Sequence, residues 1–393
     1  MSKAKVEAIA RPLEEKLLAY RRHFHENPEL SFHEEKTSQF IKDKLTELGI
    51  PMRSGITGNS VLAELDSGVP GPTILIRADM DALPVQEENE WAHCSKVPGV
   101  MHACGHDFHT ANLLCLAEAL SQNRDLWSKG KILLAYQAAE EQLPGGARQM
   151  VADGATEGVD MVFALHVGQT EVGTISTRTG MASMAVGTYQ LKVEGTGGHT
   201  GSPHTAVDPV AALVDIAVHL QRIVPSRINP TDPTTLSVSH IGTGSREFPN
   251  VIPKDGTMSG TIRASRTQDR DFVLDEVERV ARAICEMRGC KCQVEKVYGY
   301  PAMYNSEEQV AIVRAAAEEL GITCEEAEPM MGAEDFAYFE EKCPGAFFSL
   351  GMYNPERPET KNPNHSSKFM PEEKGAINGL KMMLEICAQV LGE

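Results

Sequence analysis

Three short apolar runs constrain this chain more than any other feature: "TILIRAD" (73–79), "KILLAYQ" (131–137) and "DMVFALHV" (160–167). Each is bounded by polar residues and shows no polar alternation, so each reads as a strand covered on both faces. Helical patterns separate or follow them, notably 108–122, where "LLCLAEAL" presents an apolar face. Strands alternating with helices specify an α/β fold. All three runs lead into polar chemistry at their carboxyl ends: Asp79 and Asp81, then Glu140 and Glu141, then His166. Sites in open α/β sheets form at those ends.

Near residue 186 the rhythm changes. "TYQLKVEG" alternates like a half-buried strand, "AVDPVAALVDIAVHLQRIV" is amphipathic, and "TTLSVSHIG" and "GTMSGTIRAS" are strand-like. The helical "DFVLDEVERVARAICEMRG" and the strand "KCQVEKVYGY" complete a βαββαβ order, that of a ferredoxin-like unit. The α/β character then returns, with a helix at 306–320, the strand "GAFFSLGM" and a closing helix near 371–391. The expected organisation is a discontinuous mixed-sheet domain, 1–185 and 297–393, interrupted by a second domain at 186–296. At 393 residues the chain is also too long for one ordinary core.

Composition narrows the partners. The formal net charge of -18 repels a polyanion, which argues against nucleic acid. The apolar runs are shorter than a membrane span, and the charged start lacks the apolar core of a signal peptide. Nine scattered cysteines, an odd number in a large chain, point to a reducing cytoplasm rather than a disulfide framework.

The chemistry gathers around "MHACGHDFHT" (101–110) and "AAEEQLPGG" (138–146). Cys104, His106, Glu141, His166 and His365 offer thiolate, imidazole and carboxylate, which borderline metals accept together. Five such ligands exceed the three usual for one catalytic zinc and favour two ions sharing ligands. HExxH, GxSxG, Walker and GxGxxG patterns are absent, which removes the commonest alternatives. In the Glu140–Glu141 pair, one carboxylate suits the metal and the other suits a general base; a solvated acidic loop is the plainer alternative. His93, His102 and His109 read as structural or surface groups, and Cys285, Cys290 and Cys292 as core packing.

Taken together, "RADMDALP", "MHACGHDFHT", "QAAEEQLPGGARQM", "ALHV", "GGHTGSPH" and "GAEDF" resemble the M20 metallopeptidases, more narrowly their aminoacylase and hippurate-hydrolase branch. The resemblance runs nearly end to end, with the motifs in the family's order. It implies a pair of divalent metals (zinc, manganese, cobalt or nickel) on Cys104, His106, Glu141, His166 and His365, with Glu140 activating the bridging water. It further implies that Asp81 buttresses a ligand histidine and that His199 stabilises the oxyanion from a lid that mediates dimerisation. Asn250 and Arg263 would hold the substrate's carboxylate, and Glu334 would border its pocket. The implied reaction is hydrolysis of an N-acyl amino acid by a cytoplasmic homodimer. A dipeptidase or carboxypeptidase using the same centre, or a metal-free binding protein, are the alternatives.

Overall fold

The computed structural model describes residues 2–392. Along the chain the main elements are α1 (Glu14–Glu26), α2 (Glu35–Glu47), β1 (Val61–Asp66), β2 (Thr73–Asp79), α3 (His106–Gln122), β3 (Lys131–Gln137), β4 (Met161–Glu171) and β5 (Thr174–Thr177). There follow β6 (Ala185–Glu194), α4 (Pro209–Leu220), β7 (Thr234–Thr243), β8 (Asp255–Ala264), α5 (Thr267–Arg288) and β9 (Lys291–Tyr298). The chain closes with α6 (Glu307–Leu320), β10 (Thr323–Glu326), β11 (Gly345–Tyr353) and α7 (Ala376–Leu391). Two compact units result: Met1–Ala182 with Tyr304–Glu328 and Asp335–Glu393, and Ser183–Met303 with Pro329–Glu334.

The first unit is built on a seven-stranded sheet in the order β1-β3-β2-β4-β11-β5-β10. β2 runs parallel to both β3 and β4, and β11 parallel to β4, whereas β1 is antiparallel to β3 and β5 to β11. The sheet is therefore mixed. From Ile74 to Asp79 and from Ile132 to Gln137 every residue is buried. Both faces are covered there, which is why these stretches show no alternation in sequence. α3 is buried on all sides from His106 to Leu120, against α1 and α7, so polar residues in its first turn must find partners inside the protein.

In the second unit a four-stranded antiparallel sheet has the order β9-β6-β8-β7, and α4 and α5 pack on it. Tyr189, Leu191 and Val193 of β6 join Leu213 and Ile216 of α4 and Val273, Leu274 and Val277 of α5 in its core. Intervening residues such as Gln190, Lys192, Gln293 and Glu295 line the other sheet face. Cys285 lies in this core with Cys290 and Cys292 packed against it, and all nine cysteines are unpaired. Asp208 caps α4, accepting from Val210 N–H at 2.8 Å.

Candidate metal centre

β3 ends at Gln137, and the next four backbone amides each donate to a side-chain oxygen. Ala138 N–H donates to Ser60 Oγ (3.0 Å), Ala139 N–H to Glu34 Oε1 (2.8 Å), and Glu140 and Glu141 N–H to the two oxygens of Asp81 (3.0 Å each). The turn is thus fixed from three distant segments, with Ala139 in the left-handed region at φ 53°. Such a conformation costs about 1–3 kcal/mol outside glycine and persists only where the surroundings impose it. Gly146 closes the loop: its N–H donates to Ala139 O, and a Cβ there would lie 1.8 Å from Ala138 O.

Asp81 also meets the first ligand candidate. His106 Nδ1 lies 2.9 Å from Asp81 O and 3.2 Å from Asp81 Oδ1, so that nitrogen carries the proton and Nε2 is turned the other way. His166 is oriented alike, with Nδ1 2.8 Å from Val167 O and Nε2 3.4 Å from Cys104 Sγ. Cys104 and His106 flank Gly105, whose φ is 95°; a Cβ there would come within 2.2 Å of Val167 Cγ2. His365, at φ 67°, is tied to the same loop by its N–H donating to Ala103 O at 2.7 Å.

The inward-facing atoms define the centre. Glu141 Oε1 lies 3.3 Å from His365 Nε2 and 3.9 Å from His106 Nε2. His106 Nε2 and Glu141 Oε1 are buried and make no aligned hydrogen bond. Cys104, His106 and His166 form one triad of potential ligands, Cys104, Glu141 and His365 another, and His106, Glu140 and Glu141 a third. Two nitrogens each bound at about 2.1 Å to one ion in tetrahedral geometry lie about 3.4 Å apart, close to these separations. Orphaned donor atoms at ligand spacing fit divalent metal ions better than they fit a solvated loop. The acidic-loop alternative for Glu140 also conflicts with its burial.

Behind the ligands lies a buried polar layer. Arg77 donates to Asp79 Oδ2 (2.6 Å), Asp335 Oδ1 (2.8 Å) and Gln137 Oε1 (2.7 Å). His109 holds Asp79 through Nδ1 and accepts Val167 N–H at Nε2 (2.9 Å). Asp79, His106 and His109 are also close enough to share an ion. Asp79 is already matched by Arg77, however, and His109 has used both nitrogens, so the triad is a scaffold. His109 is structural, as its sequence context implied, and it supports the strand end that carries His166.

The local field is that of a cation site. Burial pushes the Cys104 thiol up, but His166 and His106 outweigh it and hold the pKa down to about 6. Burial pushes His166 down, and the Cys104 thiolate pulls it up to about 9. Cys104 and then Glu141 draw His365 up to about 10. Burial drives His109 down to about 3 despite Asp79, so it stays neutral, in keeping with its donor and acceptor bonds.

Of the other residues singled out in the sequence, His199, Asn250, Arg263 and Glu334 belong to the second unit. His199 pairs with Val251 in a short antiparallel ladder, and its Nδ1 accepts Gly201 N–H at 2.9 Å. Asn250 O accepts from Thr200 N–H at 3.0 Å, and Arg263 stands on β8 between Val186 and Thr235. Ser60, Glu34, Arg77 and Asp335 escaped the sequence reading. Asp335 neighbours the Glu334 chosen from "GAEDF"; both are buried, and no local pattern marks which of the two adjacent acids takes Arg77.

One thiol, three imidazoles and a carboxylate, beside a second buried glutamate, offer the donor types that metal-assisted hydrolysis uses. The chain belongs to Peptidase family M20/M25/M40, whose model matches residues 75–389. It is 41% identical over 373 residues to the "Putative amidohydrolase YhaA" of Bacillus subtilis, covering 94% of this chain and 93% of that one. It is 38% identical to thermostable carboxypeptidase 2 of Saccharolobus solfataricus, covering 94% of each. To the N-acyl-L-amino acid amidohydrolase of Geobacillus stearothermophilus it is 40% identical, covering 78% of this chain and 83% of that one. Its fold matches the crystal structure of Bacillus subtilis YxeP, described as a dinuclear metal-binding peptidase of the M20 family. That match has a TM-score of 0.81 at 31% identity and covers 97% of this chain and 99% of the other. The protein is a hydrolase of amide bonds.

Proposed function

We propose that the protein hydrolyses N-acyl amino acids of the acetyl or benzoyl type, releasing a carboxylic acid and a free amino acid. The observation that carries the reading is the pair of buried donor atoms without an aligned hydrogen bond, His106 Nε2 and Glu141 Oε1, at ligand spacing from Glu140 and His365. Cys104, His106, Glu141, His166 and His365 would hold two divalent ions (zinc, manganese, cobalt or nickel), which supply Lewis acidity when bound. Glu140 takes the proton from the attacking water and returns it to the departing amino nitrogen, so no acyl-enzyme is required. Asp81 keeps both glutamates and His106 in place. His199 would stabilise the oxyanion, and Asn250 and Arg263 would bind the carboxylate, a bidentate task for a guanidinium.

In this reading the 186–296 segment is a ferredoxin-like lid and the dimerisation domain of a homodimer. Support comes from β7, which forms a sheet edge, and from the exposed Val214, Val218 and Ile241 on α4 and β7. The carboxypeptidase relative favours a second reading, cleavage of peptides by the same centre.

The deciding experiment uses chelated protein re-supplied with each ion and assayed on N-acetyl and N-benzoyl amino acids and on dipeptides. Activity on the acyl amino acids that disappears with chelation and returns with one ion is the expected result; activity on dipeptides alone would install the second reading. Glu140→Gln should retain bound metal while kcat falls at least about a thousandfold. Near-normal turnover in that variant would remove Glu140 as the base.

A further inference from the structure

The loop 138–146 carries Glu140 and Glu141, and its two ends meet at one carboxylate. Asp335, fully buried, accepts from Gln137 Nε2 at 2.9 Å on Oδ1 and 2.7 Å on Oδ2, and Oδ2 also accepts Ala147 N–H at 3.1 Å. Gln137 is the last residue of β3, and Ala147 is the second of the short helix Gly146–Ala152. Asp335 therefore closes the neck of the loop from both sides. Arg77 completes the clip: its Nη2 donates to Asp335 Oδ1 (2.8 Å) and its Nε to Gln137 Oε1 (2.7 Å), so the Gln137 amide is held at both of its polar atoms. Arg77, Gln137, Ala147 and Asp335 are all buried.

A buried ion pair between β2 and a residue 258 positions away is by itself weak evidence of stabilisation. What Asp335 spans is narrower than a fold brace: residues 137 and 147 enclose only the loop with the two glutamates. Inside that neck Gly146 N–H donates to Ala139 O at 2.9 Å, and at its middle Asp81 takes the amides of Glu140 and Glu141. The loop is thus held at its middle by Asp81 and at its neck by Asp335, and the place of Glu140 depends on both. We propose that Asp335, with Gln137 as its arm, is a positioning residue that acts on the reaction through the aim of Glu140. This inference rests on Glu140 being the base of the proposed hydrolysis.

The test is a double-mutant cycle of Asp335→Asn with Glu140→Gln on metal-loaded enzyme, using the substrate that wild type turns over, N-acyl amino acid or dipeptide. In Asp335→Asn either orientation of the amide turns its NH2 group toward donors, Ala147 N–H and Gln137 on one side or Arg77 and Gln137 on the other, so a contact at the neck must open. With Glu140 present, kcat should fall about 10–100-fold, while KM and bound metal, the latter read by metal analysis, stay within about threefold. In the Glu140→Gln background the same substitution should cost less than about twofold, because no base is left to aim. Gln137→Met keeps every charge, opens the neck by itself and should repeat the pattern; it decides the matter if Asp335→Asn does not fold. Equal factors in the two backgrounds would make Asp335 a brace of the fold and overturn the proposal, as would an unchanged kcat. A loss of rate that follows lost metal would place the effect on Glu141 and overturn it too. Near-normal turnover in Glu140→Gln alone would instead remove the base, and this inference with it.

Discussion

The Asp81 carboxylate gathers several parts of this candidate centre. One carboxylate takes two consecutive backbone amides, a serine hydroxyl and a share of His106 Nδ1–H. An asparagine there keeps one oxygen and turns an NH2 group toward a backbone N–H, so one glutamate must be released. Asp81→Asn should lower metal affinity about 10–100-fold and kcat by at least as much, with chelator competition measuring the first and steady-state rates the second. An affinity equal to wild type would restrict Asp81 to a passive role. The sequence made the ligand types readable, because thiol, imidazole and acid stand next to apolar strand ends. Glu34 and Ser60 were not readable, since their acceptor roles exist only once residues 78–105 positions away arrive beside them.

α1 and α3 are joined by charge as well as by packing. Arg21 of α1 lies 2.9 Å from Asp107 of α3, and His25 is set between Asp107 (2.8 Å) and Glu87 (3.3 Å), all with buried side chains. Burial pushes Glu87 up, but its bonds to His25 and to Ser95 N–H bring it down to about 2. A folded pKa below the unfolded value of 4.5 means a contribution that is complete above about pH 4.5 and fades as pH falls toward 2. After allowance for solvent near the loop it is worth at most ~2 kcal/mol. Glu87→Gln should lose that much at pH 7 and about half as much or less at pH 3, as read by urea denaturation at both values; equal losses at the two would refute the assignment. Elements buried on both faces, such as β2 and β3, are legible from their apolar runs. The shorter β5 and β10, with four residues each, carry too little pattern to be recognised.

At the scale of the molecule the described residues form two separate hydrophobic cores, and every ligand candidate belongs to the first unit. An ion that binds only the folded form stabilises the unit that holds it. Calorimetry of the metal-loaded protein should therefore show a transition that moves down by several degrees on chelation and a second that does not move. Both transitions shifting together would mean that the two units unfold as one. None of the helices described is long and apolar enough to cross a membrane.

The four amides of residues 138–141 give the site an unusual heredity. Their acceptors lie at 34, 60 and 81, while the ligand candidates run from 104 to 365. A recombinant that exchanged the first sixty residues with a distant relative would inherit every ligand candidate and Asp81, yet lose the Glu34 and Ser60 acceptors that fix the turn ahead of the two glutamates. Such a centre cannot be transplanted as a cassette; it descends with nearly the whole first unit or not at all.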